Sequence, residues 1–405
     1  MSHPRIEIGD IIERYGADYL EAFGEVTSLS QRHVLQRLEA CRTPALGGRV
    51  YECDTCHQPV FSYNSCRDRH CPTCRGAAAA KWLADRQREL LPIPYFHVVF
   101  TLPHELGPLA LQNKSLVYRL LFEAVSDTLL TIAADPKHLG ARIGFLAILH
   151  TWGQALEYHP HLHCVVPGGG VAPDGTRWIS SRPRFLLPVK VLSRRFRRTF
   201  GRLLRSAFKQ GQLVFSGTLA PLADPVRFRA LLDSIYAKKW VVYAKPPFGG
   251  PDHVLKYLAR YTHRVAISNH RLISMDDGKV TFRWKDYADS DRRKLMTLEA
   301  TEFLRRFLLH VLPKRFMRIR SYGLLANRNR KANIDRCRRL LDQSPSRQQV
   351  SSSPESPSPA TESTDTEPTQ RPCPFCSTGR LIYLRELSPL ESLPEIHTRP
   401  RSNSS

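Results

Sequence analysis

The residues of this chain whose types and spacing could do chemistry are a histidine pair, a tyrosine pair and several paired cysteines. His161 and His163 stand two apart in an apolar run that reads as a strand. Alternate residues on a strand share one face, so these imidazoles lie about 7 Å apart and could converge on one ion. The preceding run places His150, Trp152 and Gln154 on one face of a neighbouring strand. A simple hairpin closed by residues 155–160 sets Gln154 opposite His161 and Trp152 opposite His163. Gln154 is therefore the expected third ligand, with His150 the second choice. Two imidazoles and an amide oxygen suit Mg²⁺ or Mn²⁺, whereas imidazole alone would prefer zinc. A pair of partly buried polar histidines is the plainer reading of the same spacing.

Tyr257 and Tyr261 stand four apart in a helical stretch from Asp252 to Arg264, one turn from each other on one face. Lys256, Arg260 and Arg264 run beside them as a basic stripe that could grip a phosphate backbone. Val254, Leu258, Tyr261 and Val265 also make a core stripe, so spacing alone leaves both readings open. A phenol with a pKa near about 10 is a poor nucleophile at neutral pH. A divalent ion on the scissile phosphate makes phosphorus more electrophilic, so the histidine and tyrosine pairs make chemical sense together.

Cys53 and Cys56 form one CxxC and Cys71 and Cys74 another, with fourteen residues between them. This is the spacing of a four-cysteine zinc ribbon, in which two knuckles complete a tetrahedron and leave no open position. The ion is expected to be structural. Cys41, His57, Cys66 and His70 are read as packing or hydrogen-bonding around that shell. Arg67 and Arg69 flank the second knuckle and are expected to contact DNA. Cys373 and Cys376 are half a site that Cys337, His397 or a second chain could complete.

These groups need a scaffold. Helical periodicity runs over 5–40, 113–134, 188–211, 225–239 and 298–311, and short strands are expected at Arg49–Glu52, Val60–Tyr63, Tyr95–Leu102 and Phe316–Tyr322. Asp276-Asp277-Gly278 is a hairpin turn signal. The reading is an α+β fold, a central antiparallel sheet flanked by helices, preceded by a small zinc-ribbon domain with helices. Residues 1–94 form the helical and zinc-ribbon DNA-binding domain, 95–340 the nuclease-like domain, 341–371 a disordered Ser/Pro-rich linker and 372–405 a short tail. The chain has 405 residues with 60 Lys and Arg against 37 Asp and Glu, a net charge of +23. Such a surplus fits a polyanionic partner, and nucleic acid leads because phosphate contacts release counterions. The basic run from Arg194 to Lys209 is a candidate phosphate-binding helix, with the interleaved Phe196, Phe200 and Phe208 expected to point inward. No apolar run is long enough to span a bilayer and no signal peptide is evident, so a cytoplasmic protein without a membrane partner is expected.

The ordered motifs resemble those of two-tyrosine HUH endonucleases, and more closely those of rolling-circle insertion-sequence transposases. Four segments carry the resemblance, over roughly residues 10–335: Cys66 to Cys74, Tyr95 to Pro103, His159 to His163, and Tyr257 to Arg264. The resemblance implies nicking and rejoining of single-stranded DNA at element ends, with target DNA as the second partner. It implies 5′-phosphotyrosine intermediates and a free 3′-OH, with His161 and His163 as ligands and Tyr257 and Tyr261 as nucleophiles. A plasmid replication initiator or relaxase would use the same chemistry. A zinc-ribbon regulator without catalysis is the alternative from another class.

Overall fold

The computed structural model describes residues 6–74, 76–245, 266–286, 289, 292–343, 371–376 and 378–389. The chain opens with α1 (Ile8–Phe23) and α2 (Leu29–Glu39), followed by β1 (Gly48–Cys53), β2 (Pro59–Tyr63) and α3 (Gly76–Gln87). Ser28 starts α2 with a reciprocal cap: its Oγ accepts from Gln31 N–H, and its own N–H reaches the Gln31 side chain. Then come β3 (Tyr95–Thr101), α4 (Gly107–Gln112), α5 (Lys114–Ala134), β4 (Gly144–Trp152), β5 (Tyr158–Pro167), β6 (Gly169–Val171) and β7 (Trp178–Ser180). The order continues with α6 (Val189–Lys209), α7 (Pro225–Ala237), β8 (Val242–Lys245), β9 (Leu272–Asp276), β10 (Lys279–Asp286), β11 (Arg292–Glu299) and α8 (Ala300–Leu309). It ends with β12 (Ile319–Gly323), α9 (Arg330–Asp342) and β13 (Leu381–Leu387). Among the described residues no helix is long and apolar enough to cross a membrane.

The central sheet is antiparallel and five-stranded, in the order β12-β4-β5-β3-β8. Side chains alternate between its two faces along the regularly paired stretches. Val98, Phe100, Leu162, Cys164, Val166, Ala147 and Leu149 are all buried in one core with Phe122 and Val125 of α5 and Phe196 and Phe200 of α6. The in-between residues, among them His97, His150, His161 and His163, therefore turn to the opposite face. One face is committed to α5 and α6 by apolar burial, and the opposite face carries the histidines beside a smaller cluster of Tyr95, Ile148 and Val165.

A second core joins α1 and α2 to Phe282 of β10 and to Phe303, Leu304, Phe307 and Leu308 of α8. The amino-terminal helices thus share a core with elements of the expected nuclease-like domain, and the boundary at residue 94 does not separate two cores. The β9–β10 turn has Asp277 and Gly278 both at positive φ, 49° and 73°. This is the twist that two-residue hairpins favour. The Ser/Pro-rich stretch expected to be disordered lies almost wholly outside the described residues.

The ribbon is fastened to this body by two side chains of the second knuckle. The Arg69 guanidinium donates to the carbonyls of Leu312, Pro313 and Phe316 at 3.4, 2.6 and 2.5 Å. His70 is 4% exposed. Its Nδ1–H donates to Asp68 Oδ1 at 2.8 Å, which leaves Nε2 to accept Leu312 N–H at 3.2 Å. Burial pushes this imidazole below its ordinary pKa, so it stays in the neutral form the arrangement needs. Arg69→Ala would strand three carbonyls and is expected to cost about 2 kcal/mol, read as a lowered urea midpoint. Arg69→Lys should recover little of it, since one ammonium cannot span the three acceptors.

Candidate metal centre

β5 carries Pro160 inside the strand. It is tolerated because the pairing with β4 shifts between His150↔His161 and Trp152↔Tyr158, leaving Pro160 in the irregularity where no ladder N–H is required. Beyond it, His161 and His163 face the same way. His161 Nδ1–H donates to the His159 carbonyl at 2.7 Å, so Nε2 carries the lone pair. That nitrogen lies 2.9 Å from His163 Nε2. Two nitrogens at cis positions of a divalent ion, each about 2.1 Å away, would be about 3.0 Å apart. His150, 3% exposed and stacked against Trp152, completes a group whose ligand atoms all lie within 4.8 Å of one another.

Burial is what readies these imidazoles for a cation. It pushes His161 down to about 4 and His163 well below its ordinary pKa, with neighbouring imidazoles adding to the shift. Both therefore stay neutral, as ligation requires. His97 of β3 was assigned no role from sequence, although it lies in one of the quoted motif segments. Its Nε2 stands 2.8 Å from His163 Nδ1. With His163 Nε2 turned to an ion, Nδ1 keeps its proton and donates to His97, which fixes ring and tautomer. Burial, then nearby Lys245, holds His97 down at about 3, so it remains an acceptor. The cue was its place two residues before Val99, which pairs with His163, and that is visible only once β3 is aligned with β5.

Gln154 does not take the expected place. The hairpin closes over residues 153–157, not 155–160, and His150 is the residue opposite His161. Gln154 lies in the turn, where its carbonyl accepts from Arg271.

The cysteines also group differently from the expectation. Cys71 and Cys74 stand with Cys41 and Cys66, whereas Cys53 and Cys56 stand with Cys373 and Cys376. The expected set of Cys53, Cys56, Cys71 and Cys74 is not assembled. In the first group Cys66–Cys74 and Cys41–Cys71 sulfurs are 3.7 and 3.6 Å apart. Four thiolates around zinc, each at about 2.3 Å, would be about 3.8 Å apart. A disulfide would need about 2.05 Å. Cys41 comes from the end of α2, and an Arg37 hydrogen bond to the Cys66 carbonyl ties that helix to the knuckle.

Tyr257, Tyr261, Lys256, Arg260 and Arg264 lie outside the described residues. The chain leaves them at Lys245, paired with His97, and returns at Ala266, which is buried in the second core. Arg67 is exposed, while Arg69 is committed to the three carbonyls described above. The arginines of α6 lie on the far side of the sheet from the histidines, because Phe196 and Phe200 of that helix point into the main core. Arg195 pairs with Asp127 at 3.1 Å, and Arg197 donates to the Tyr236 and Lys238 carbonyls.

Comparison with known proteins places this arrangement. Residues 144–333 match a family described as "Putative transposase", and residues 11–102 match the "Transposase zinc-binding domain" of IS91 type. The chain is 54% identical over 380 residues to the "Putative transposase y4qJ" of Sinorhizobium fredii (strain NBRC 101917 / NGR234), covering 93% of this chain and 94% of that protein. It is 30% identical over 298 residues to the "Transposase for insertion sequence element IS801" of Pseudomonas savastanoi pv. phaseolicola, covering 72% and 69%. No solved structure matches it.

Two predictions test the histidine geometry. His150→Ala and His97→Gln should each weaken Mn²⁺ binding by about 10- to 100-fold, and Gln154→Ala should leave it unchanged, as followed by electron paramagnetic resonance titration. A larger loss for Gln154→Ala than for His150→Ala would restore the amide as ligand. The second concerns pH. A depressed imidazole pKa means that protons compete with the ion only as the pH approaches the folded value, about 4 for His161. Two ordinary histidines would lose roughly a hundredfold in affinity between pH 7.5 and 5.5. This site should lose less than about tenfold over the same interval.

Proposed function

The chain belongs to the IS91-type transposases with an amino-terminal zinc-binding domain, and from that premise we propose that it nicks and rejoins single-stranded DNA at element ends through Tyr257 and Tyr261. The observation that carries the reading is the convergence of three imidazoles, His150, His161 and His163, on the face of the central sheet opposite the core shared with α5 and α6. His97 holds the His163 ring. Three nitrogen donors without an amide oxygen suit zinc first by ligand type, and of the two ions expected for the nicking step they disfavour the harder Mg²⁺ more than Mn²⁺. A bound ion would draw charge from the scissile phosphate. Lys245, the last described residue before the tyrosines, pairs with His97.

In this reading a phenol oxygen attacks phosphorus and the bond to the 3′ oxygen breaks. The leaving oxygen takes a proton to become a 3′-OH, and the DNA is held as a 5′-phosphotyrosine. The linkage keeps the phosphodiester's free energy, so a 3′-OH of another strand can reverse the step without ATP. A second tyrosine allows a second cleavage while the first is occupied. Lys256, Arg260, Arg264 and exposed Arg67 supply phosphate contacts. Cys41, Cys66, Cys71 and Cys74 hold the structural zinc of the ribbon. Family membership favours transposition over the replication-initiator and relaxase alternatives.

The test is incubation of the full chain with labelled single-stranded element ends and Mn²⁺. Wild type should form a covalent adduct, each single Tyr→Phe variant should lose one linkage site, and Tyr257→Phe/Tyr261→Phe should form none. His161→Ala/His163→Ala should slow adduct formation by roughly 100-fold or more. An adduct that persists in the double tyrosine variant would refute the assignment.

A further inference from the structure

Both family matches stop short of the C-terminal segment, yet that segment returns to the front of the chain. β13 pairs antiparallel with the whole of β1, from Gly48↔Leu387 to Cys53↔Leu381, and extends the ribbon sheet to the order β13-β1-β2. Just before it, Cys373 and Cys376 meet the first knuckle. The Cys53–Cys376 sulfurs are 3.6 Å apart and the Cys56–Cys373 sulfurs 3.7 Å. These are the separations of thiolates sharing a tetrahedral zinc, about 3.8 Å, and far from a disulfide.

Both halves are built as ligand knuckles. Cys56 N–H donates to Cys53 Sγ at 3.4 Å, and Gly379 N–H to Cys376 Sγ at 3.3 Å. Gly379 sits so close that a Cβ there would collide with Cys53 Sγ. Asp54 and Arg380 exchange bonds across the junction: Asp54 N–H donates to the Arg380 carbonyl, and Arg380 N–H to Asp54 Oδ1 at 2.8 Å.

Apolar burial adds little to this pairing among the described residues, although the Tyr383 ring meets that of Tyr51 edge-on. Ile382, Tyr383 and Leu384 are 50%, 50% and 52% exposed. The Arg49–Glu386 ion pair is exposed on both sides and contributes little. Among the described residues of the segment, Cys373, Gly379 and Leu387 are buried. An edge strand with so little apolar burial does not offset its own ordering entropy. The four converging thiolates supply what the side chains do not.

We propose that Cys53, Cys56, Cys373 and Cys376 form a second zinc site, which clasps the C-terminal segment onto the amino-terminal ribbon of the same chain. Four soft ligands with no open position select zinc and a structural role. Closing the chain this way makes docking of β13 dependent on zinc. The inference is independent of how the histidine site works.

The experiment uses the full chain, with zinc counted by elemental analysis and the tail followed by tryptic cutting after Arg380 and Arg385. Cys373→Ser/Cys376→Ser should carry one zinc fewer per chain than wild type and be cut about tenfold faster at both arginines. Far-UV circular dichroism should be unchanged, because only a peripheral segment is touched. Chelation of wild type should produce the same acceleration. Cys53→Ser, if it folds, should behave alike. Equal zinc in wild type and Cys373→Ser/Cys376→Ser, or cutting indifferent to zinc, would overturn the proposal. So would a wild-type dimer on native mass spectrometry that becomes monomeric in that variant, since the tail would then belong to a second copy.

Discussion

The hydrogen-bond ladder between β4 and β5 decides which side chains of the histidine strand face which way. Side chains alternate with a period of two, so a slip of one residue would send His161 and His163 into the helix-covered core. Leu162, Cys164 and Val166 would then face the polar side. All three are buried against α5 and α6, and each such burial contributes about 1.5–3 kcal/mol for the larger side chains. Unpartnered imidazoles in that core would carry a further desolvation cost. The apolar half of the strand thus fixes the chemical half. The same register brings His150 and His97 in from β4 and β3, so one constraint assembles the whole group.

How much of this was legible in the sequence follows from the range of each signal. The alternation of His161 and His163 with Leu162 is local, and it was read correctly as one face of a strand. The turn was misplaced because Pro160 looks like a strand breaker. The chain instead keeps Pro160 in the strand at a shift of register and turns earlier, at Gly153 to Glu157. That difference moves His150 into the position expected for Gln154. His97 carries no local mark and acquires one only through pairing across the sheet. The cysteines show the same limit. Two CxxC pairs fourteen residues apart look like one site, and nothing nearby reveals that the partner of Cys53 and Cys56 lies beyond residue 370. The zinc-ribbon character and the half-site at Cys373 were legible; the pairing was not.

Charge needs the same separation of local count from tertiary use. A surplus of +23 suggests a broad phosphate-binding surface. Several guanidiniums are nonetheless occupied inside the protein. Arg69 holds the 312–316 carbonyls, Arg271 those of Gln154 and Arg283, and Arg336 that of Gly175. Apart from the Arg283 carbonyl, which belongs to β10, these acceptors lie in turns and loops outside the ladders. The charges still contribute to the long-range field. Arg67, by contrast, keeps its head in solvent.

The turn between β4 and β5 links the histidines to the rest of the molecule. Leu156 has φ of 63°, an unfavourable backbone for a residue with a branched side chain, yet it is fully buried in the second core. Burial of the leucine offsets that strain, which costs roughly 1 kcal/mol or more. His310, itself buried, donates to the Leu156 carbonyl at 3.2 Å and faces Thr151 Oγ1 on β4 at 3.2 Å. Burial holds it near about 3, so it remains neutral and does not titrate near neutral pH. The core that receives Leu156 also contains Cys66, Cys71 and the first two helices. The histidine hairpin and the ribbon are therefore bolted to one body, at Leu156 on one side and at Arg69 and His70 on the other. Whatever the ribbon grips is held at a fixed distance from the three imidazoles. The reaction proposed above, which places one chosen phosphate over a metal site, needs that rigidity more than it needs a large pocket.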